Sequence, residues 1–124
     1  MKIFSTPIVS FWFFLSFMTT GLAQESAIDS LENELLNHQT RDTIRVNLLT
    51  TLIYRVQDVD VKKAEDLLEE AEDLVETLGF KKGQADVVYN KACVALIKSK
   101  YEESIAYFNN AFMQYKSLNF QTKA

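Results

Sequence analysis

An all-α fold built of antiparallel helical hairpins is predicted by three features of this sequence. Beyond Ala23 there is no proline and glycine occurs twice, at Gly79 and Gly83, so little interrupts helix. Apolar residues recur there at intervals of three and four, the period of a helix with one buried face. The pattern itself returns after 40 residues: Leu52 recurs as Ala92, Val56 as Leu96, Ala64 as Ser104 and Leu68 as Phe108. Ala71 likewise meets Ala111, Val75 meets Tyr115, Leu78 meets Leu118 and Phe80 meets Phe120. A period of this length, one hairpin per unit, belongs to helical solenoids.

Residues 1–23 stand apart from that pattern. Lys2 gives a positive start, Ile8 to Met18 is an uncharged apolar run, and small residues precede a cut after Ala23. This is the tripartite pattern of a secretory signal peptide, and the run is shorter than the roughly 18–20 residues of a spanning helix. With no cysteine near the cut, a lipid anchor is not expected there. The expected destination is the periplasm, free after cleavage or held at the membrane by an uncleaved N-terminal anchor and facing the periplasm. After removal of the signal, 12 basic side chains face 17 acidic ones, a net charge of −5. An acidic chain without a basic cluster argues against nucleic acid as a partner. Cys93 is the only cysteine, so no intramolecular disulfide can form.

The elements follow in order. Ser26 to Asn37 carries Ile28, Leu31, Leu35 and Leu36 on one stripe, and "HQTRD" ends it. Asp42 is suited to cap a helix over residues 43–57, whose stripe is Leu48, Leu49, Leu52, Ile53 and Val56. Lys62 to Leu78 sets Ala64, Leu67, Leu68, Ala71, Leu74, Val75 and Leu78 against a face of seven carboxylates. Gly79 then supplies a left-handed stop. Gln84 to Lys98 is apolar nearly all round, which calls for neighbours on several sides. Tyr101 to Leu118 has Ile105, Phe108, Ala111, Phe112, Tyr115 and Leu118 as its stripe.

The stretch "YEESIAYFNNAF" (Tyr101 to Phe112) resembles the second helix of a tetratricopeptide repeat, with Tyr101, Phe108 and Ala111 at the family's positions and Ser104 in place of an alanine. "KKAEDLLEEAEDLVETLGF" matches through Ala64, Leu68 and Ala71, with Val61 where tyrosine is usual. Ala92 fills the small position of the first helix, while Lys91 and Ala95 depart from the usual leucine and tyrosine. The period of 40 is longer than the common 34. The resemblance implies a short stacked solenoid: a leading half-repeat with its loop over residues 24–41, then repeats over 42–80 and 81–120. Residues 121–124 would start a third, truncated repeat. It implies that Ala64, Ala71, Ala92 and Ala111 allow close backbone approach and that Leu68, Phe108 and Phe112 fill the gaps between hairpins. Tyr107, Phe112, Met113 and Tyr115 are left available on the last helix.

No catalytic constellation is expected, and neither cofactor nor metal. The sequence has one histidine, one cysteine and no glycine-rich phosphate loop. His38 reads as a solvated loop histidine and not as a phospho-acceptor. Cys93 reads as a small buried apolar residue. The carboxylates of residues 62–78 read as a solvated face, because calcium ligands converge from a loop. By the resemblance, the peptide groove would hold Val46, Leu49 and Ile53 from the first repeat and Asp86, Tyr89, Cys93 and Leu96 from the second; the other reading is that these residues serve only the packing between helices. The partner is then a protein or peptide, an amphipathic helix in particular, or a second copy of the chain. Similar bacterial chains often continue through a membrane span to a histidine kinase or DNA-binding regulator. The expected role is thus the periplasmic sensory or scaffold part of a signalling protein. A free-standing adaptor that self-associates through its last helix is the alternative.

Overall fold

The computed structural model describes residues 23–123, and every regular element among them is a helix. The expected signal sequence, but for Ala23, lies outside the described residues. Helix α1 covers residues 23–37. It is followed by α2 (Thr43–Val56), α3 (Val61–Leu78), α4 (Lys81–Ile97) and α5 (Tyr101–Lys123). No described helix is long and apolar enough to cross a membrane.

Local chemistry sets most of the boundaries. Asp42 caps α2 by accepting from the Arg45 backbone N–H at 3.0 Å, and Asp60 caps α3 by accepting from Lys63 at 3.1 Å. Gly79 ends α3 at φ 62, with Phe80 N–H closing onto Val75 O and Gly79 N–H onto Glu76 O. Ser99 ends α4 in the same way at φ 60, with Lys100 N–H on Ala95 O and Ser99 N–H on Leu96 O.

Three boundaries differ from expectation by more than one residue, the first being α1, which starts at residue 23 and not at Ser26. Helix α4 begins at Lys81, three residues early, after Phe80, whose side chain makes no capping bond. Gly83 therefore lies inside its first turn, where a Cβ would fall 2.5 Å from a Phe80 ring carbon and 2.9 Å from methyls of Val46 and Val75. Helix α5 does not stop at Asn119 as α3 stops at Gly79 but runs on to Lys123. Asparagine enters the left-handed region less readily than glycine, and the helix continues through it.

Successive helices double back. Helix α2 packs on α3 and α4 on α5, while α4 also meets α2 and α3. Helix α4 thus has three neighbours, as its all-round apolar surface requires. The core runs through Val46, Leu49, Leu52, Ile53, Val56, Ala64, Leu68, Ala71, Leu74 and Val75, joined by Leu35 of α1. Each large side chain here contributes roughly 1.5–3 kcal/mol by leaving water. Of the expected packing residues, Ala64, Leu68, Ala71, Ala92, Ser104 and Ala111 are buried and Phe108 is partly so. Tyr101 and Phe112 are not: both stand exposed on α5, on which no described helix but α4 packs.

The acidic face of α3 stays open to solvent, and most of its carboxylates also carry an ion pair. Glu65 pairs with Lys98, Asp66 with Lys62, Glu70 with Arg45, Glu72 with Lys91 and Asp73 with Arg41. Arg45 is the most enclosed of these. Its Nε donates to Glu70 Oε1 at 2.8 Å while Nη1 donates to the carbonyls of Leu35 (3.2 Å) and His38 (2.8 Å), closing the end of α1 onto α2 and α3.

Candidate functional site

An open groove of ≈ 490 Å³ lies along α2 and α4, with Tyr115 of α5 at its edge. Helix α2 contributes Asn47, Thr51, Tyr54 and Arg55 from beside its buried stripe, and Thr50 from within it. Helix α4 contributes Lys82, Asp86, Tyr89 and Asn90 at intervals of four, three and one. The volume falls in the range of small-ligand and peptide clefts.

The floor is a helix–helix seam sealed by polar bonds. Asn90 is only 3% exposed, and its Nδ2 donates to Thr50 O at 3.1 Å, linking two positions 40 residues apart. Thr50 and Thr51 turn their hydroxyls back to Asn47 O, at 3.2 and 2.7 Å. These bonds leave the amide oxygen of Asn90 and the whole amide of Asn47 as hydrogen-bonding groups of the groove. At one end, Asp86 accepts from Lys82 at 3.0 Å and from the Tyr115 hydroxyl. Burial and that donated bond both push the Tyr115 phenol well above its usual range. Tyr89 rests edge-on against Phe108, ring centroids 5.7 Å apart, and keeps a solvent-facing edge beside Tyr54. Arg55 makes no ion pair among the described residues.

The expected groove residues divide. Asp86 and Tyr89 line the groove. Val46, Leu49 and Ile53 do not, since all three are fully buried in the core. They serve the packing between helices, and the groove takes the neighbouring face of α2, since one residue along the helix is a turn of about 100°. Cys93 is partly buried, and burial pushes its thiol up, away from the reactive thiolate. Leu96 is half-exposed near the end of α4 and lies outside the groove lining. The other lining residues, Thr51 among them, were missed, though the polar and aromatic side chains at 47, 50, 51 and 54 form a helical stripe of their own. His38 is partly buried, with Nε2 2.8 Å from Asp42 Oδ1, beside the cap of α2. Among the described residues no cluster of three or more His, Cys, Asp or Glu could hold a metal ion.

Searches against protein-family models, curated proteins and solved structures return no match.

Proposed function

We propose that this chain is a non-catalytic protein–protein interaction module of tetratricopeptide type, exported and serving as the periplasmic sensory or scaffold region of a bacterial signalling protein. The observation that carries the reading is the groove between α2 and α4. Its lining offers amides, hydroxyls and two tyrosine edges, and its carboxylate is held by Lys82 and Tyr115. Such a surface suits an extended segment whose backbone needs hydrogen-bond partners and whose side chains need rings to lie against. The 40-residue recurrence supports the repeat reading, with Asn90 and Thr50 joined across one period.

The test is selection of random peptides on the purified chain, followed by affinity measurements on groove variants. Selected peptides should lose roughly tenfold or more in affinity on Tyr54→Ala or Tyr89→Ala, as aromatic anchors at an interface do. Peptides that bind equally well to both variants would refute the groove as the docking surface. Export is tested separately: residues 1–30 fused to an alkaline phosphatase that folds only outside the cytoplasm should yield active enzyme, and an inactive fusion removes the periplasmic reading.

A further inference from the structure

The α2–α4 groove has two unlike ends. Arg41 and Arg45, at the start of α2, pair with Asp73 and Glu70 of α3, and Lys91 and Lys98 of α4 pair with Glu72 and Glu65. In each set one number rises as the other falls. Helix α3 therefore runs against both neighbours, and α2 and α4 run the same way. Asn90 meets Thr50 along the groove. Lys82 and Asp86 precede Asn90 by about two turns and one, and Arg55 follows Thr50 by more than one, so they stand at opposite ends.

At the first end the charges are satisfied within the protein, since Asp86 accepts from Lys82 and from the Tyr115 hydroxyl. At the other end Arg55 is exposed and has no counter-ion among the described residues, whereas Arg41 and Arg45 are both paired. Asp86 is the sole carboxylate of the lining, against Lys82 and Arg55. The groove is thus net positive in a chain whose net charge is −4. Glu65, Glu69 and Glu72 of α3 line a separate cleft with α4 and α5.

Two features stand side by side at the Arg55 end. Tyr54 and Tyr89 offer ring edges to an apolar side chain, and Arg55 offers its guanidinium to an anion. The chain's own residues do not supply that combination in extended form. Residues 1–22 contain no aspartate or glutamate. Between the helices, residues 38–42 hold no apolar side chain, and residues 79–80 and 98–100 hold no acid. The turn at Asp58 to Asp60 has both, but it folds the N–H groups of Val59 and Asp60 back onto Val56 O.

We propose that the groove takes an extended segment of another protein in which an aspartate or glutamate lies within about two residues of an apolar one. The apolar side chain sits between Tyr54 and Tyr89, and the carboxylate meets Arg55. This specificity rests on the groove being a peptide site.

The experiment offers random peptides, displayed with their C-termini blocked, to the full chain and to its Arg55→Glu variant. Arg55 is exposed and unpaired, so the helical circular dichroism of the variant should match wild type. Wild-type binders that weaken on Tyr54→Ala or Tyr89→Ala should be enriched in aspartate and glutamate near an apolar position. On Arg55→Glu, lysine and arginine should take their place. Changing the acid of a selected peptide to its amide should cost about fivefold in affinity on wild type, the scale of an exposed ion pair, and nothing on Arg55→Gln. Groove binders without acid enrichment, or an amide penalty that persists on Arg55→Gln, overturn the proposal and leave the groove standing. Binders indifferent to both tyrosines remove the groove and this specificity together. Light scattering that finds a dimer abolished by Arg55→Glu also overturns it, and assigns the site to a second copy.

Discussion

At the residue scale, Arg45 of α2 bonds both to α3 and to the end of α1. It neutralises Glu70 on α3 and satisfies two carbonyls at the end of α1, Leu35 and His38. Charged hydrogen bonds contribute about 1.5–3 kcal/mol each when made, and stranded partners cost a similar amount. Arg45→Met should therefore lower unfolding free energy by about 2–4 kcal/mol in a denaturant titration. Arg45→Lys should recover little of it, because an ammonium lacks the planar fork. A pair of substitutions separates backbone strain from contact. Gly79 and Ser99 hold the same left-handed position at the ends of α3 and α4. Nothing lies within 4 Å of a Cβ on Gly79, so Gly79→Ala isolates the backbone cost, about 1 kcal/mol. Ser99→Gly should move stability the other way by up to about 1 kcal/mol. Thermal melts of the two variants shifting in the same direction would count against this account. Tyr115 supplies a pH signature. Its phenol titrates above the ordinary 10.0 in the folded chain, so its contribution is complete below that value and declines as pH rises past it. Tyr115→Phe should flatten the alkaline limb of the stability profile.

At the scale of elements, the sequence marked the helices well and their faces less well. Periodicity, Asp42 and Gly79 located α2 and α3 to within a residue, because caps act through local bonds. The start of α4 was missed since Phe80 caps with backbone alone and Gly83 reads as a breaker. In the folded chain Gly83 is a spacer. Gly83→Ala would press a methyl into Phe80, Val46 and Val75, and should cost about 1–3 kcal/mol as overpacking does, despite the better helix propensity of alanine. A variant as stable as wild type would show that the seam yields. Little of the groove was legible, for a related reason: of its lining only Asp86 and Tyr89 were expected. Apolar spacing on α2 announces what is buried, and Val46, Leu49 and Ile53 went to the core. The lining comes mainly from the residues beside that stripe, and only the approach of α4 makes them a surface. The acids of α3 likewise gave no sign of their partners, which lie 19 to 33 residues away for Glu72, Glu70, Asp73 and Glu65.

At the scale of the molecule, packing passes from each helix to its neighbours in the chain, with α4 shared between α2, α3 and α5. Amide exchange should follow that order. Protection should be greatest in α2, α3 and α4, and should fall along α5 towards Lys123, where one neighbour holds the helix. Uniform protection from Thr43 to Lys123 would mean that the hairpins open only together. The single attachment of α5 also has a mechanical consequence. If the chain is held at Thr43 and Leu118 and stretched, α5 can peel from α4 while the three-way contact of α2, α3 and α4 stays intact. An optical trap would then record two separate lengthenings. The first, at low force, would release α5 at roughly 3.3–3.6 Å per residue, and the second would come only when α4 is pulled out from between its other two neighbours.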